Sequence, residues 1–259
     1  MWLRLAQKLC PNLISLDYEF EAYERYSSEF YNYLVSSNYF DSIYPVSIDE
    51  VLVDATSYCN KSENGVENAA NELASLIRKH VYQLTNCTVS VGLGPNVLLA
   101  KLALRKAKPH GQFALFGDAG DFLRSVPVKD LPGFGSGILE KLEPEVGKSS
   151  PNIEDMMPIS NSRLIQLLGE KTGTKLYQYA RGIDHTSIEI DTAAPEIVLG
   201  RKSISVDVNF GIRFDTMEEL DDFFMRLARE LYQRMINLGV CGSTSVSYTH
   251  LRAHETSAH

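Results

Sequence analysis

Apolar positions along this chain switch between helical and strand spacing, and the switches mark its elements. Residues 1–11 read as the end of a helix stopped by Pro11, because proline cannot continue the helical hydrogen-bond ladder. Leu13-Ile14-Ser15-Leu16 reads as a short strand, and residues 23–35, with aromatic side chains spaced along them, as a helix. Two apolar runs within residues 43–54 enclose Ser47-Ile48-Asp49-Glu50, which predicts two strands with a hairpin bend. Val66, Ala69, Ala70, Leu73, Leu76, Ile77, Val81 and Leu84 recur at helical spacing, the mark of an amphipathic helix. Residues 87–91 are β-rich and end at Gly92-Leu93-Gly94-Pro95. A helix is predicted over 96–108, stopped by Pro109, and a strand over 112–116. Alternation of this kind suits an α+β or α/β sheet domain with helices packed against it.

From Gly117 the rhythm changes. Residues 118–181 read as several short helices separated by glycine-rich turns, and 191–200, with Ala193-Ala194-Pro195, as a linker. Residues 202–214 then alternate as a strand. Thr216-Met217-Glu218-Glu219 has the form of a capping box, in which side chains satisfy the free N–H groups of a helix start. Leu220, Phe223, Phe224, Leu227, Leu231 and Leu238 make the apolar face of that helix, which Gly239 ends. The 259 residues allow one large domain or two to three small ones.

Composition adds mainly exclusions. The longest apolar runs fall well short of the ~20 residues that span a bilayer, so no membrane partner is expected. Met1-Trp2-Leu3-Arg4-Leu5 has no basic segment followed by an unbroken apolar stretch, so it is not read as a signal peptide. Cys10, Cys59, Cys87 and Cys241 form no Cys-x-x-Cys pair and have no histidine at zinc spacing. They read as reduced thiols. The net charge of −8 runs against a uniformly basic nucleic-acid surface. Phosphate contacts are local, so any such surface must come from clusters.

Four segments hold residues suited to chemistry. Asp49 and Glu50 are adjacent acids between apolar strands. Buried charge is costly unless paired or metal-bound, and hard carboxylate oxygens suit magnesium. A solvated turn is the alternative. Lys101, Arg105 and Lys108 lie at i, i+4 and i+7, on one helix face opposite Leu98, Leu99, Leu102 and Ala103. That stripe could hold phosphates or simply face solvent. Leu131-Pro132-Gly133-Phe134-Gly135-Ser136-Gly137 leads into a predicted helix, as in a helix-hairpin-helix. Its glycines would let backbone N–H groups approach a phosphate without sequence preference. Finally, Lys202, Ser203 and Ser205 sit in an alternating segment that could line a sugar–phosphate backbone or form an exposed edge.

Together the segments describe phosphoryl transfer to nucleic acid, and over roughly residues 8–246 the chain resembles the Y-family, DinB/UmuC-like DNA polymerases. The resemblance rests on Ser47-Ile48-Asp49-Glu50 with Asp54, and on Ser90-Val91-Gly92-Leu93-Gly94-Pro95-Asn96 with Leu99-Ala100-Lys101. Ala107-Lys108-Pro109-His110-Gly111 and Leu131-Pro132-Gly133-Phe134-Gly135 complete it. Arg105-Lys106-Ala107-Lys108-Pro109, Gly200-Arg201-Lys202-Ser203-Ile204-Ser205 and Asn209-Phe210-Gly211-Ile212-Arg213-Phe214 look most like the eukaryotic deoxycytidyl transferase branch. The resemblance implies an α+β right-hand polymerase with a mixed-sheet palm, a small helical thumb and a partial α/β little finger. A finger remnant would occupy 1–11, the palm 12–117, the thumb 118–195 and the little finger 196–245.

The resemblance also implies roles. Asp49 and Glu50 would be catalytic and hold Mg2+ in a two-metal site. Lys108, with Arg105 and Asp49, would bind the incoming dNTP, dCTP in this branch. Gly133, Gly135, Ser136, Gly137, Lys202, Ser203 and Ser205 would contact primer–template DNA. Other translesion polymerase components are expected as partners, and the nucleus as location. The family's first catalytic aspartate and most of its fingers precede the point where this sequence starts. The isolated chain is therefore expected to be inactive or nearly so. Residues 246–259 depart from the family, and Val246-Ser247-Tyr248-Thr249-His250-Leu251-Arg252-Ala253-His254-Glu255-Thr256 back-translates to a transposon-end adapter used in sequencing libraries. This tail is expected to be non-native, so His250, His254 and His259 are not read as a metal site. The competing readings are a non-catalytic DNA-backbone-binding module and a sheet domain for a protein or small-molecule partner.

Overall fold

The computed structural model describes residues 3–188, 203–208 and 211–246. The chain forms two compact units, 1–195 and 196–259.

The first unit begins with α1 (Leu3–Leu9), which buries no residue. Leu13-Ile14-Ser15-Leu16 forms no strand: Ile14 and Leu16 stand 80% and 83% exposed. A strand is held by ladder bonds to a neighbour, and β-propensity without a neighbour does not supply them. α2 (Phe20–Ser36) packs Leu34, with Phe30 and Tyr33, against Leu73, Ile77 and Val81 of α4 (Val66–Thr85). The predicted α4 stripe is buried in its middle, while Val66 and Leu84 at its ends are exposed.

β1 (Ser42–Pro45) and β2 (Val51–Asp54) pair antiparallel, with Ile43 opposite Val53 and Tyr44 opposite Leu52. The acids Asp49 and Glu50 therefore lie in or beside the hairpin connection. α3 (Thr56–Asn60) follows. The Asp54 carboxylate accepts the Thr56 N–H and O–H, and that of Asp41 accepts the Ser57 N–H. Asp54 thus secures the start of α3.

β3 (Val91–Leu93) and β4 (Gln112–Ala114) pair parallel across α5 (Val97–Ala107). The strand expected over 87–91 begins only at Val91, where a partner exists. α5 buries Leu98, Leu99, Leu102 and Ala103 as the pattern required. Its backbone crosses β3 so closely that a Cβ on Gly92 would lie 2.2 Å from the Ala100 O and Leu104 N atoms. On the α4 side, Gln112 Nε2 donates to the Asn71 carbonyl, and Gln112 Oε1 accepts from Ser75 and Arg78.

Short helices follow: α6 (Gly120–Arg124), a single 3-10 turn (Val128–Asp130), α7 (Ser136–Val146), α8 (Ile153–Met156), α9 (Asn161–Leu168) and α10 (Glu170–Tyr179). Leu98 and Leu102 of α5 share one core with Leu142, Ile153, Leu164 and Leu176 of these helices. Two hydrogen bonds reinforce that junction. Asn96 Nδ2 donates to the Gly182 carbonyl at 2.8 Å, and the Leu98 N–H donates to the Asp184 carboxylate at 2.9 Å. An acid is favourable at a helix start, where N–H groups lack partners. Asp184→Ala should therefore cost about 1–2 kcal/mol, measured by chemical denaturation, and Asp184→Asn should recover most of it.

In the second unit, residues 203–208 and 211–214 form no ladder, contrary to the strand expected over 202–214. Alternation survives: Ile204, Val206 and Val208 are half-buried, while Ser203, Ser205 and Asp207 are exposed. The period was read correctly, but no described strand pairs with it. α11 (Met217–Leu238) is capped by Thr216, whose hydroxyl accepts the Glu219 N–H. Glu219 reaches the Asp215 N–H rather than that of Thr216, a variation on the expected box. Leu220, Phe223, Leu227, Leu231 and Leu238 are half-buried on one face. Phe224, expected on that face, is exposed, although its i+4 spacing from Leu220 keeps it on the stripe. Gly239 ends the helix at φ 64°. Among the described residues no helix is long and apolar enough to cross a membrane, and all four cysteines are free.

Candidate active site

The hairpin connection is closed by its own backbone: the Val46 and Ser47 N–H groups both donate to the Glu50 carbonyl, at 2.8 and 3.0 Å. The Ser47 hydroxyl donates to Asp49 Oδ1 at 2.7 Å, fixing that side chain from within the loop. Asp49 is exposed and Glu50 partly so, and neither forms an ion pair with a described cation. The connection is also held from outside. Tyr31 of α2 donates its phenol to the carbonyls of Ser47 and Glu50, at 2.6 and 2.9 Å, and the Ser27 hydroxyl donates to the Ile48 carbonyl at 2.5 Å. The Tyr31 phenol is pushed up to about 12, first by burial and then by the charges of Asp49 and Glu50. It therefore remains a proton donor at neutral pH.

The donor set fits magnesium. Mg2+ is bound by hard oxygens, often one or two carboxylates, and completed by water and substrate phosphates. Among the described residues no group of three or more His, Cys, Asp or Glu side chains could hold a metal. The pair at Asp49 and Glu50 is therefore what this part of the chain offers such an ion.

The basic stripe is altered. α5 ends at Ala107, and Lys108 turns extended at φ −66°, ψ 146° before Pro109. Proline disfavours helical geometry in the residue before it, so Lys108 leaves the face shared by Lys101 and Arg105. Arg105 instead pairs with Asp130 at 2.7 Å, so a role in nucleotide binding would require it to exchange that partner. Lys108 is exposed and has no ion-pair partner among the described residues.

The glycine turn forms as the sequence implied, although the element before it is only a 3-10 turn. Leu131 and Phe134 are buried beneath it, and Gly133 adopts φ +92°, which an L side chain rarely tolerates. Gly135 occupies the cap position of α7 with no side-chain cap. A Cβ at Gly135 or Gly137 would meet nothing within 4 Å. With Ser136 exposed between them, the first N–H groups of α7 are open to an approaching phosphate. Lys175, which the sequence did not single out, brings its Nζ to 3.9 Å from the place of a Cβ at Gly133 and over the Tyr179 ring. Of the last predicted group, Ser203 and Ser205 are exposed, with Arg234 donating to the Ser205 carbonyl. Lys202 lies outside the described residues.

Sequence reasoning missed Ser27, Tyr31, Asp184 and Lys175. Ser27 and Tyr31 are spaced i, i+4 on α2, a faint signal. Their partners lie far along the chain, at 47–50.

Comparisons with known proteins bear on the family and the fold. The model of the impB/mucB/samB family matches residues 1–105, that of its C-terminal domain 201–255, and that of the DNA polymerase-iota thumb domain 129–184. The DNA repair protein rev1 of Schizosaccharomyces pombe is 43% identical over 236 residues, 91% of this chain and 24% of that protein. DNA repair protein REV1 of Arabidopsis thaliana is 34% identical over 94% of this chain and 21% of that protein. DNA polymerase IV of Francisella philomiragia is 32% identical over 89% of this chain and 61% of that protein. The chain thus spans about a quarter or less of the length of the two eukaryotic relatives. A DinB-family error-prone DNA polymerase from Sulfolobus solfataricus is 27% identical, with a TM-score of 0.61 over 73% of this chain and 54% of that one. A Dbh–Dpo4 polymerase chimera shares the fold at a TM-score of 0.74 and 22% identity, over 90% of this chain and 63% of that one. By sequence and by fold, the chain belongs to the Y-family of DNA polymerases.

Proposed function

We propose that the intact protein carrying this chain performs template-directed nucleotidyl transfer in translesion DNA synthesis, inserting dCMP opposite lesions or abasic sites. The observation that supports this most is the pair of acids on a pinned hairpin: Asp49 and Glu50 without a cationic partner among the described residues. Loops that carry charge for solubility alone have no need of three clamping hydrogen bonds from a neighbouring helix. Asp49 and Glu50 would hold Mg2+, which supplies neutralisation of charge developing on the phosphates. Asp49 would also face the incoming nucleotide, dCTP in this reading. Lys108 would place a positive charge on its triphosphate, and Arg105 would do so only by releasing Asp130.

Gly133, Gly135, Ser136 and Gly137 would grip the primer–template backbone through main-chain N–H groups, and Lys202, Ser203 and Ser205 would grip it from the second unit. The domain assignment follows the same reading, with finger remnant 1–11, palm 12–117, thumb 118–195 and little finger 196–245. Partners would be primer–template DNA, dCTP and other translesion polymerase components, in the nucleus.

Primer extension by the intact parent tests the reading. With Mg2+ and a template guanine or abasic site, dCMP is expected in clear preference to the other three nucleotides, and extension should stop without the metal. Salt-sensitive DNA binding with no metal-dependent incorporation would favour a non-catalytic module that uses the Gly133–Gly137 turn.

A further inference from the structure

Three hydroxyl-to-carbonyl bonds run from α2 to the acidic segment. That helix is also anchored by Leu34, Phe30 and Tyr33 against α4. Ser27 and Tyr31 are one turn apart on the face toward the hairpin. Between them they engage the carbonyls of Ser47, Ile48 and Glu50, three of the four in the acidic segment. The hairpin ladder itself ends at Pro45 and Val51, so the segment carrying Asp49 and Glu50 has no strand neighbour to hold it. Its own bonds, from Val46, Ser47 N–H and Ser47 Oγ, close it locally. Those bonds do not fix its pitch relative to the rest of the unit. The α2 hydroxyls supply that connection to the α2–α4 core.

We propose that Ser27 and Tyr31 are positioning residues for the metal-holding segment, setting the pitch of Asp49 and Glu50 from a helix that contributes no ligand of its own. The proposal rests on the reading of Asp49 and Glu50 as magnesium ligands. It adds that affinity for the ion is determined partly in α2. Partners that orient ligands typically change metal affinity about 10–100-fold when removed. Tyr31→Phe keeps the ring and its edge contact with Phe30 and deletes only the donor. Ser27→Ala removes the other donor, and Ser27→Thr keeps it.

The experiment is Mn2+ binding to the intact parent, followed by electron paramagnetic resonance without nucleotide, alongside thermal denaturation. Tyr31→Phe is expected to weaken Mn2+ binding about 10–100-fold. Its combination with Ser27→Ala should weaken it further, while Ser27→Thr stays near wild type and the unfolding temperature of Tyr31→Phe hardly moves. Asp49→Ala with Glu50→Ala is the ligand control and should abolish binding, leaving the signal of the free ion. If that control loses Mn2+ as expected and Tyr31→Phe still binds it as wild type does, positioning by α2 is overturned. If the control itself binds normally, the carboxylates are not the ligands and both readings fall. A Tyr31→Phe protein that loses metal only in proportion to lost folding would reduce the clamp to a structural role and overturn the proposal as well.

Discussion

Gly92→Ala is expected to destabilise the first unit by roughly 3–5 kcal/mol, near the top of what single substitutions do. The added Cβ would fall 2.2 Å from both the Ala100 carbonyl oxygen and the Leu104 amide nitrogen. Both are backbone atoms in the middle of a helix, so no rotamer change relieves the overlap. The helix must move off the strand, and α5 is the element that joins β3 and β4 to the core containing Leu142, Leu164 and Leu176. Loss of that much from a domain whose whole stability is about 5–15 kcal/mol should be plain in a urea or thermal melt. Gly137→Ala is the control: its Cβ meets nothing within 4 Å and its φ is not positive. That change should be neutral or mildly stabilising, since alanine is the better helix former.

Replacing Asp49 with Asn and Glu50 with Gln should leave the fold intact and reduce nucleotide incorporation by the intact parent more than about a thousandfold. Metal ions in such sites contribute several kcal/mol of charge stabilisation, and each 1.36 kcal/mol is tenfold in rate. The fold should survive because Asp49 is exposed and, among the described residues, its carboxylate accepts a hydrogen bond from Ser47 alone. The Glu50 contacts to Tyr31, Val46 and Ser47 all run through its carbonyl, which the substitution keeps. Single-turnover incorporation with saturating dCTP measures the loss, and DNA binding at fixed salt should change little. Equal loss of DNA binding would place the two acids in the DNA interface rather than at the reacting phosphate.

The two substitutions separate two kinds of information in the chain. The glycine is demanded by packing, which reaches function only through the fold. The acids are tolerated by packing, and the proposed function gives their placement a chemical reason. The Arg105–Asp130 pair belongs to neither kind. It is half-exposed, and exposed pairs contribute about 0–1 kcal/mol. It can therefore occupy a residue read as a phosphate ligand without settling the stability of the helix that carries it.

What the sequence determined by itself was mainly what local chemistry sets. The periods of α4, α5 and α11 were legible because an amphipathic helix writes its buried face into its own spacing. The hairpin around Asp49 and Glu50, the stops at Pro109 and Gly239, and the open turn at Gly133 to Gly137 were legible for the same reason: each depends on a few adjacent residues. The segments at 13–16 and 203–208 show the limit, since strand-like residues become strands only beside a partner, and none lies beside them among the described residues. Lys108 is a different case: its displacement from the helical face is local, set by Pro109 beside it, and the i, i+7 spacing did not account for it. Only the tertiary structure decided that Arg105 is matched by Asp130, that Asp184 caps a helix 86 positions earlier, and that Ser27 and Tyr31 hold the acidic hairpin. Each of these joins residues far apart in the chain, and contact between them is created by packing rather than by spacing.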